Sequence, residues 1–348
     1  MTWLHTLDPF AIQFTENFGI RWYGLAYLAG FVASYYFIRL LARRGLTPLP
    51  PEKVGDFVFA VAVGVVVGGR LGYCIFYNPN LFLQFTSSPP FWGALAMHQG
   101  GMASHGGILG LFLACLYFSR KEKLPLFALA DLTTVGGSLG VFFGRLANFV
   151  NGELPGRPVS GNTSWAVKFP QEILNWPAQS PEKLADLAPA VTALGTSKEQ
   201  WLELTTTPLS AADLHTIEPI LQRVIASVQQ GNLYLQSQLM PLLTARYPSQ
   251  LYAALLEGLT IFVLMVILWC FARRPGVIAA SYMFLYPTMR ILSESYRLPD
   301  AHLGFQAWGL TRGQWLSVAM YGCALAVAYF VFRSSRDTSF NHKEHAHD

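Results

Sequence analysis

The chain has 348 residues, of which 52% are hydrophobic and only 13% charged, with a formal net charge of +4. A soluble domain carries about 25% charged residues, so this balance excludes an ordinary soluble enzyme and points to a polytopic membrane protein. So small a net charge gives no basis for nucleic-acid binding.

Apolar runs near the ~20 residues needed to cross a bilayer recur along the chain. They are read at 19–41, 57–76, 101–118, 127–150, 251–271, 276–292 and 315–332. The expected fold is therefore all-α, with about seven transmembrane helices. The first eighteen residues hold Asp8, Pro9 and Glu16 and lack a basic stretch followed by an apolar core, so no cleavable signal peptide is expected. Connections after the first, third, fifth and seventh spans carry Arg43, Arg44 and Lys53, then Arg120, Lys121 and Lys123, then Arg273 and Arg274, then Arg333 and Arg336. The link 77–100 has no Lys or Arg. Basic loops stay cytoplasmic, so the N-terminus is expected outside and the C-terminus inside.

The fourth span ends in Gly144-Arg145-Leu146-Ala147-Asn148-Phe149-Val150-Asn151-Gly152-Glu153-Leu154-Pro155-Gly156-Arg157. A charge at the bilayer centre costs about 2.5–3.5 kcal/mol on insertion scales, and spanning does not require it. The guanidinium fork matches phosphate or carboxylate, and Asn side chains and Gly-exposed N–H groups add donors. This stretch is read as an anion site.

From 157 to 250 the chain turns polar and rich in turn residues, which predicts a small extracytoplasmic head. Ser210-Ala211-Ala212-Asp213 has the form of a helix N-cap with an acidic third position. Leu214, Ile217, Leu221, Val224, Ile225 and Val228 follow at helical spacing and Gly231 is a stop signal. Membrane-surface docking and ordinary packing explain that stripe equally well. The expected organisation is 1–156 with four spans, 157–250 the head, 251–333 with three spans, and 334–348 a cytoplasmic tail.

Cys74, Cys115, Cys270 and Cys323 lie in apolar spans without metal-type spacing and read as small buried hydrophobes. The closing His342-Lys343-Glu344-His345-Ala346-His347 reads as a solvated tail. No metal site, nucleotide loop or cofactor is implied.

At 1.5 Å per helical residue, the costly polar groups fall in the outer part of the membrane. Arg70 stands roughly 20 Å from the inner end of its span, Arg145 near the outer end of the fourth, and His105 and Glu257 within a few residues of the outer face. Arg21 and Tyr23 open the first span on that side, and Arg290 and Glu294 close the sixth. This pattern predicts a chamber open to the outer leaflet, suited to an anionic head with apolar tails, a phospholipid. Pairing of Arg70 and Arg290 with Glu294, Glu257 or Asp131 is an alternative for those arginines.

The chain resembles the prolipoprotein diacylglyceryl transferases of bacterial inner membranes. The 144–156 run is similar to that family's signature segment. Supporting matches, in order, are Arg21-Trp22-Tyr23-Gly24, Gly68-Gly69-Arg70-Leu71-Gly72-Tyr73, Phe76-Tyr77-Asn78-Pro79, Gly100-Gly101-Met102-Ala103-Ser104-His105-Gly106-Gly107, Arg246-Tyr247-Pro248-Ser249-Gln250-Leu251-Tyr252 and Arg297-Leu298-Pro299-Asp300. The resemblance implies transfer of the diacylglyceryl group of phosphatidylglycerol to the lipobox cysteine thiol of a prolipoprotein, releasing glycerol phosphate. It assigns Arg145 and Arg246 to the phosphate, with Arg70 a further substrate-binding candidate. Asn148, Asn151 and Gly156 would shape the headgroup pocket, and Tyr23 would polarise phosphate or glycerol oxygens. His105 is the candidate general base, and Glu153 would orient an arginine or share the proton.

Three positions depart from the family pattern. Ala147 stands for Gly, Tyr247 for His, and Ala253 for the Glu that follows Gln-Leu-Tyr. Glu257, one turn beyond Ala253, is expected to replace that Glu as partner of Arg246. The head is also longer than the family pattern implies. Two other functions compete. Ser104 and His105 side by side raise an intramembrane protease, although adjacent helical residues point about 100° apart. A phospholipid transporter or scramblase would also need an outer arginine chamber.

Overall fold

The computed structural model describes residues 2–15, 18–87, 89–97, 100–159, 165–206, 208–272, 274–298 and 306–334. Arg273, Arg336, Pro299, Asp300 and the run from His342 to His347 lie outside the described residues.

The chain is mostly helical. The long helices are α1 (Trp22–Arg43), α2 (Val54–Phe76), α3 (Ser104–Glu122) and α4 (Leu126–Val150). Then follow the short helices α5 (Trp176–Gln179), α6 (Ala188–Thr192) and α7 (Lys198–Leu204), the 19-residue α8 (Ala211–Gln229) and the short α9 (Leu233–Leu239). Next come α10 (Ser249–Ala253), a π-helical turn (Ala254–Thr260), α11 (Ile261–Phe271), α12 (Val277–Glu294) and α13 (Arg312–Ser334). Among the described residues, five helical stretches are long and apolar enough to cross a membrane: Trp22–Arg43, Pro51–Phe76, Leu126–Val150, Ser249–Phe271 and Arg312–Arg333. They carry five of the expected spans. The other two fall on α3 and α12, the first with three charges in its last turn and the second only 18 residues long with Arg290 and Glu294 near its end.

The chain forms two compact units. One comprises Met1–Leu28, Val141–Leu259 and Pro287–Ala319. Here β1 (Trp3–Leu4) pairs in parallel with β4 (Val167–Lys168), which pairs antiparallel with β5 (Ala245–Arg246). A separate hairpin joins β2 (Phe10–Thr15) to β3 (Phe18–Arg21). Helices α5 to α9 close over a core that includes Ile173, Leu184, Trp201, Ile217, Leu221 and Val224. Helix α8 begins as expected: the Ser210 side chain accepts from Asp213 N, and the Asp213 carboxylate returns to Ser210 N. That hydrogen bonding holds the Asp213 carboxyl below the usual range. The predicted stripe belongs to this core, apart from Leu214, which is exposed. Packing, not docking, accounts for it.

The other unit comprises Ala29–Gly140, Thr260–Tyr286 and Met320–Asp348. Helices α2 and α3 meet backbone to backbone along Gly64, Gly68 and Gly72 on one side and Gly106 and Gly110 on the other, where a Cβ on any of them would run into the facing chain. Lipid supplies no hydrophobic drive between helices, so close backbone approach is what holds such a pair. A core of Ile38, Leu41, Phe57, Phe118, Leu129 and Leu132 completes the unit. Asp131 of α4 caps the start of α12, accepting from Gly276 N at 2.7 Å and Ala279 N at 2.8 Å. Cys74 and Cys115 are buried as expected, whereas Cys270 and Cys323 are exposed on α11 and α13. An apolar helix surface destined for lipid accepts a cysteine as readily as a core does.

Candidate active site

The polar end of α4 lies wholly in the first unit. Arg145 and Asn148, three residues apart, share one face of the helix. The loop beyond is fixed by backbone geometry. Gly152 adopts φ +68° with the Gln171 amide packed against it. Gly156 N donates to Tyr247 O at 3.1 Å, and a Cβ on Gly156 would strike the carbonyls of both Tyr247 and Tyr296. Only glycine fits between those two strands of chain, which explains its place in the motif.

Opposite α4, the π-turn holds Glu257, fully buried. Such turns insert one residue into a helix and frequently mark functional sites. Next to it, Gly258 lies flat against the backbone of Phe142. Glu257 then becomes the centre of an ion array. Arg145 Nη2 donates to its Oε2 at 2.8 Å, and Arg290 Nη1 and Ser293 Oγ donate to its Oε1, the former at 3.1 Å. Arg290 Nη2 lies 2.9 Å from Glu294 Oε2, and Thr311 Oγ1 donates to Glu294 Oε1 at 3.1 Å. A buried charge is tolerated when paired and hydrogen-bonded, and each carboxylate here meets both conditions. Arg145 and Arg290 share a pocket with Arg297, and among the described residues the lining of that pocket holds these three arginines and no carboxylate.

A small pocket opens beside the array, lined by Arg145, Asn148, Gln250, Arg290, Ser293 and Arg297, with Ala253 and Leu154 among its remaining walls. Tyr23 reaches Asn148, its hydroxyl donating to Oδ1 at 2.5 Å. That bond fixes the amide so that the Asn148 N–H₂ group faces elsewhere as a donor. Asn151 Nδ2 donates to Glu153 Oε1 at 3.4 Å. Partial burial raises the Glu153 carboxyl pKa, opposed by that hydrogen bond and by the charge of Arg21.

The structure thus brings together Tyr23, Arg145, Asn148, Asn151, Glu153 and Gly156. It turns Arg246 to other work. Arg246 sits on β5, its Nε donating to Glu172 Oε2 at 3.1 Å and its Nη1 to Gly156 O at 3.4 Å. The expected Arg246–Glu257 pair does not form. Glu257 is instead held by Arg145 and Arg290, and Glu172, which Thr244 also binds at 2.7 Å, serves Arg246. Arg246 therefore ties Glu172 to the glycine-rich loop at Gly156.

Two candidates belong to the second unit. His105 is exposed in the first turn of α3. Arg70, expected among the substrate-binding residues, is buried at 6% exposure. Its Nε donates to Ala94 O at 2.7 Å, Nη2 to Gly93 O at 2.7 Å, and Nη1 to Gly100 O and Gly101 O at 2.6 and 2.9 Å. Four of its five N–H donors are taken by carbonyls, leaving no fork for a phosphate. It fastens Gly93, Ala94, Gly100 and Gly101, which precede α3.

Sequence reading did not assign Arg290, Ser293 or Gln250 to the site. The visible signal was Arg290 and Glu294 at helical i,i+4 spacing near the outer end of a span. Among the described residues no group of side chains is arranged to hold a metal ion.

The family described as prolipoprotein diacylglyceryl transferase matches residues 9–330. The chain belongs to this family. It is 51% identical over 319 residues to a phosphatidylglycerol–prolipoprotein diacylglyceryl transferase of Bdellovibrio bacteriovorus, covering 91% of each chain. It is 31% identical over 337 residues to the protein of that name from Nitrobacter winogradskyi, covering 94% of this chain and 90% of the relative. A third, from Azospirillum brasilense, is 35% identical over 319 residues, covering 90% of each. The transferase family's pattern therefore extends over both units.

Proposed function

We propose that this chain is a transferase that moves the diacylglyceryl group of phosphatidylglycerol onto the lipobox cysteine thiol of a prolipoprotein. Family membership supports the reaction. The observation that carries the site is the meeting of Arg145 and Arg290 on one buried carboxylate beside a pocket that also holds Asn148 and Arg297.

The chemistry follows from these groups. A cysteine thiolate attacks the glycerol carbon that bears the phosphate ester, forming a C–S bond. The C–O bond breaks and its electron pair leaves with glycerol phosphate, while the thiol proton passes to a base. Free cysteine has a pKa near 8.5, so the base or a positive field must raise the thiolate fraction. Charge grows on the departing phosphate, and fixed guanidinium donors in a site short of water stabilise it best. Arg145 and Arg290 are the proposed phosphate ligands, with Asn148 donating beside them and Tyr23 orienting Asn148. Asn151 and Gly156 set the shape of the loop, and Arg246 secures that loop. His105 remains the proposed general base, an imidazole being the side chain that most often takes up the proton in such a step. Glu153 shares the proton or steadies an arginine. Arg70 acts by positioning Gly93, Ala94, Gly100 and Gly101 ahead of α3.

Seven spans, with α3 and α12 joining the five longer helices, are part of the same proposal. So are an N-terminus outside, a cytoplasmic C-terminus, a 157–250 head on the outer side and residence in the bacterial inner membrane. The distribution of Lys and Arg supports this orientation.

Transfer is tested with purified protein in liposomes supplied with phosphatidylglycerol and a lipobox peptide. A diacylglyceryl mass gain on the peptide, with glycerol phosphate released and Arg145→Ala inactive, is expected. Lipid crossing the bilayer with no bond broken would replace this reading with a transporter, and a cleaved peptide with a protease.

A further inference from the structure

Gln250, one of the residues lining the pocket beside the ion array, carries a buried side-chain acceptor that no described residue uses. Gln250 is 2% exposed, and its Nε2 donates to Glu153 O at 2.5 Å. That bond decides which end of the amide is which, because a flip would set two oxygens against each other. Gln250 Oε1 is therefore the remaining atom, and it has no hydrogen-bond partner among the described residues. Its neighbours in the pocket are engaged. Ser249 Oγ donates to Leu154 O at 2.9 Å, Ser293 Oγ donates to Glu257, and Asn148 Oδ1 receives Tyr23. A buried acceptor left unmade costs about 1–3 kcal/mol. Such an atom calls for a donor from outside the described residues, a water or a ligand group.

We propose that Gln250 Oε1 is the headgroup-reading atom of the site, accepting a hydrogen bond from a hydroxyl of the polar head of the phospholipid substrate. The inference rests on the transferase reading and adds the selectivity of its donor site. The charge around the pocket sets the chemical class of the group. Arg145, Arg290 and Arg297 favour a phosphate and repel an ammonium, so the donor that fits beside them is neutral. A hydroxyl is the smallest such group. A site built to hydrogen-bond a hydroxyl rejects the analogue that lacks it, because its own polar atom is then stranded. An amide oxygen is well suited to this task, since it accepts without adding charge to the array. Gln250 lies three residues from Ala253 and seven from Glu257, so one short segment carries both the neutral reader and the carboxylate that holds the arginines.

The test compares two lipids in one preparation of full-length protein in liposomes. Phosphatidylglycerol is set against phosphatidylpropanol, which keeps the phosphodiester and loses both head hydroxyls. The wild type is expected to use phosphatidylglycerol about five- to tenfold better in kcat/KM, the size of one neutral hydrogen bond. Gln250→Leu is expected to lower the phosphatidylglycerol value to that of phosphatidylpropanol and leave the latter nearly unchanged. A smaller folded fraction cancels in the ratio, so a merely structural role of Gln250 would lower both lipids equally and overturn the proposal. Should Gln250→Leu be wholly inactive, the wild type alone decides. Equal use of the two lipids overturns the subsite, and graded use of lipids with two, one and no head hydroxyls supports it. A wild type that transfers neither lipid would refute the transferase reading itself, an outcome distinct from all of these.

Discussion

Arg145 and Arg70 are both arginines placed inside apolar helices, one in each compact unit, and their surroundings could hardly differ more. Arg145 meets the side-chain carboxylate of Glu257 beside a pocket that also holds Arg290 and Arg297. Arg70 is wrapped by four backbone carbonyls and stacks on Tyr73, 5.7 Å from the ring centroid. Arg145 pairs with a charged side chain at the edge of a pocket, whereas four of the five N–H donors of Arg70 go to backbone carbonyls. An arginine inside an apolar helix is thus a site candidate only where it lines a pocket. In the other case it is a rivet.

The largest effect that can break this comparison is loss of the paired arginines. Arg145→Gln and Arg290→Gln are each expected to lower the rate of transfer by about 10³-fold, comparable to the loss of a principal charge-stabilising donor, and far more than the folded fraction falls, since Glu257 keeps its other arginine. Arg70→Ala should behave in the opposite manner. Four buried carbonyls lose their partner at about 1–3 kcal/mol each before relaxation, so a marked drop in melting temperature is expected, with activity falling in step. If Arg70→Ala melts like wild type yet is inactive, Arg70 is a ligand after all.

Glu257→Gln sharpens the first half of the contrast. The amide keeps one oxygen acceptor but removes a negative charge from the arginines. Product release should slow, so that added glycerol phosphate inhibits transfer about tenfold more tightly, a modest share of the several kcal/mol that a contact charge pair carries. Inhibition constants measured for the two proteins check this. Unchanged inhibition would mean that Glu257 only fills space.

The smallest effect is one of pH, and it belongs to the sheet beside the site. His5 is fully buried between Phe149 and Phe169, its Nε2 donating to Phe149 O at 2.7 Å. Burial lowers its pKa below the ordinary 6.5. The unfolded chain therefore takes up a proton first as pH falls below 6.5, so the folded state loses stability between that value and the lowered one. Melting temperature should decline from pH 7 to pH 5, and His5→Phe should flatten the decline.

Much of this was legible from the sequence where the signal is local. The Ser210–Asp213 cap and the 217–228 stripe lie within one helix, and their spacing carries the information. The polar end of α4 stood out because costly residues crowd one stretch. What the sequence hid is pairing across distance. Arg145 and Glu257 are separated by 112 positions, and although the sequence offered Glu257 and Glu294 as partners of Arg290, it did not reveal that the π-turn also delivers Glu257 to Arg145. The partner of Arg246 was misread for the same reason, because Glu172 comes from 74 positions away. Gln250 looked like a mere letter of a motif, since only the fold shows that one end of its amide is bonded and the other is not.

The central claim is that Arg145 and Arg290, and not Arg246, hold the phosphate. The most direct test measures KM and kcat for phosphatidylglycerol in liposomes with Arg290→Lys and Arg246→Lys side by side. Lys keeps the charge but not the fork. The account predicts that Arg290→Lys loses transfer nearly as severely as Arg290→Gln, while Arg246→Lys keeps KM within about threefold of wild type, as expected of a residue whose salt bridge lies outside the pocket. A large rise in KM for Arg246→Lys, with Arg290→Lys near wild type, would contradict it.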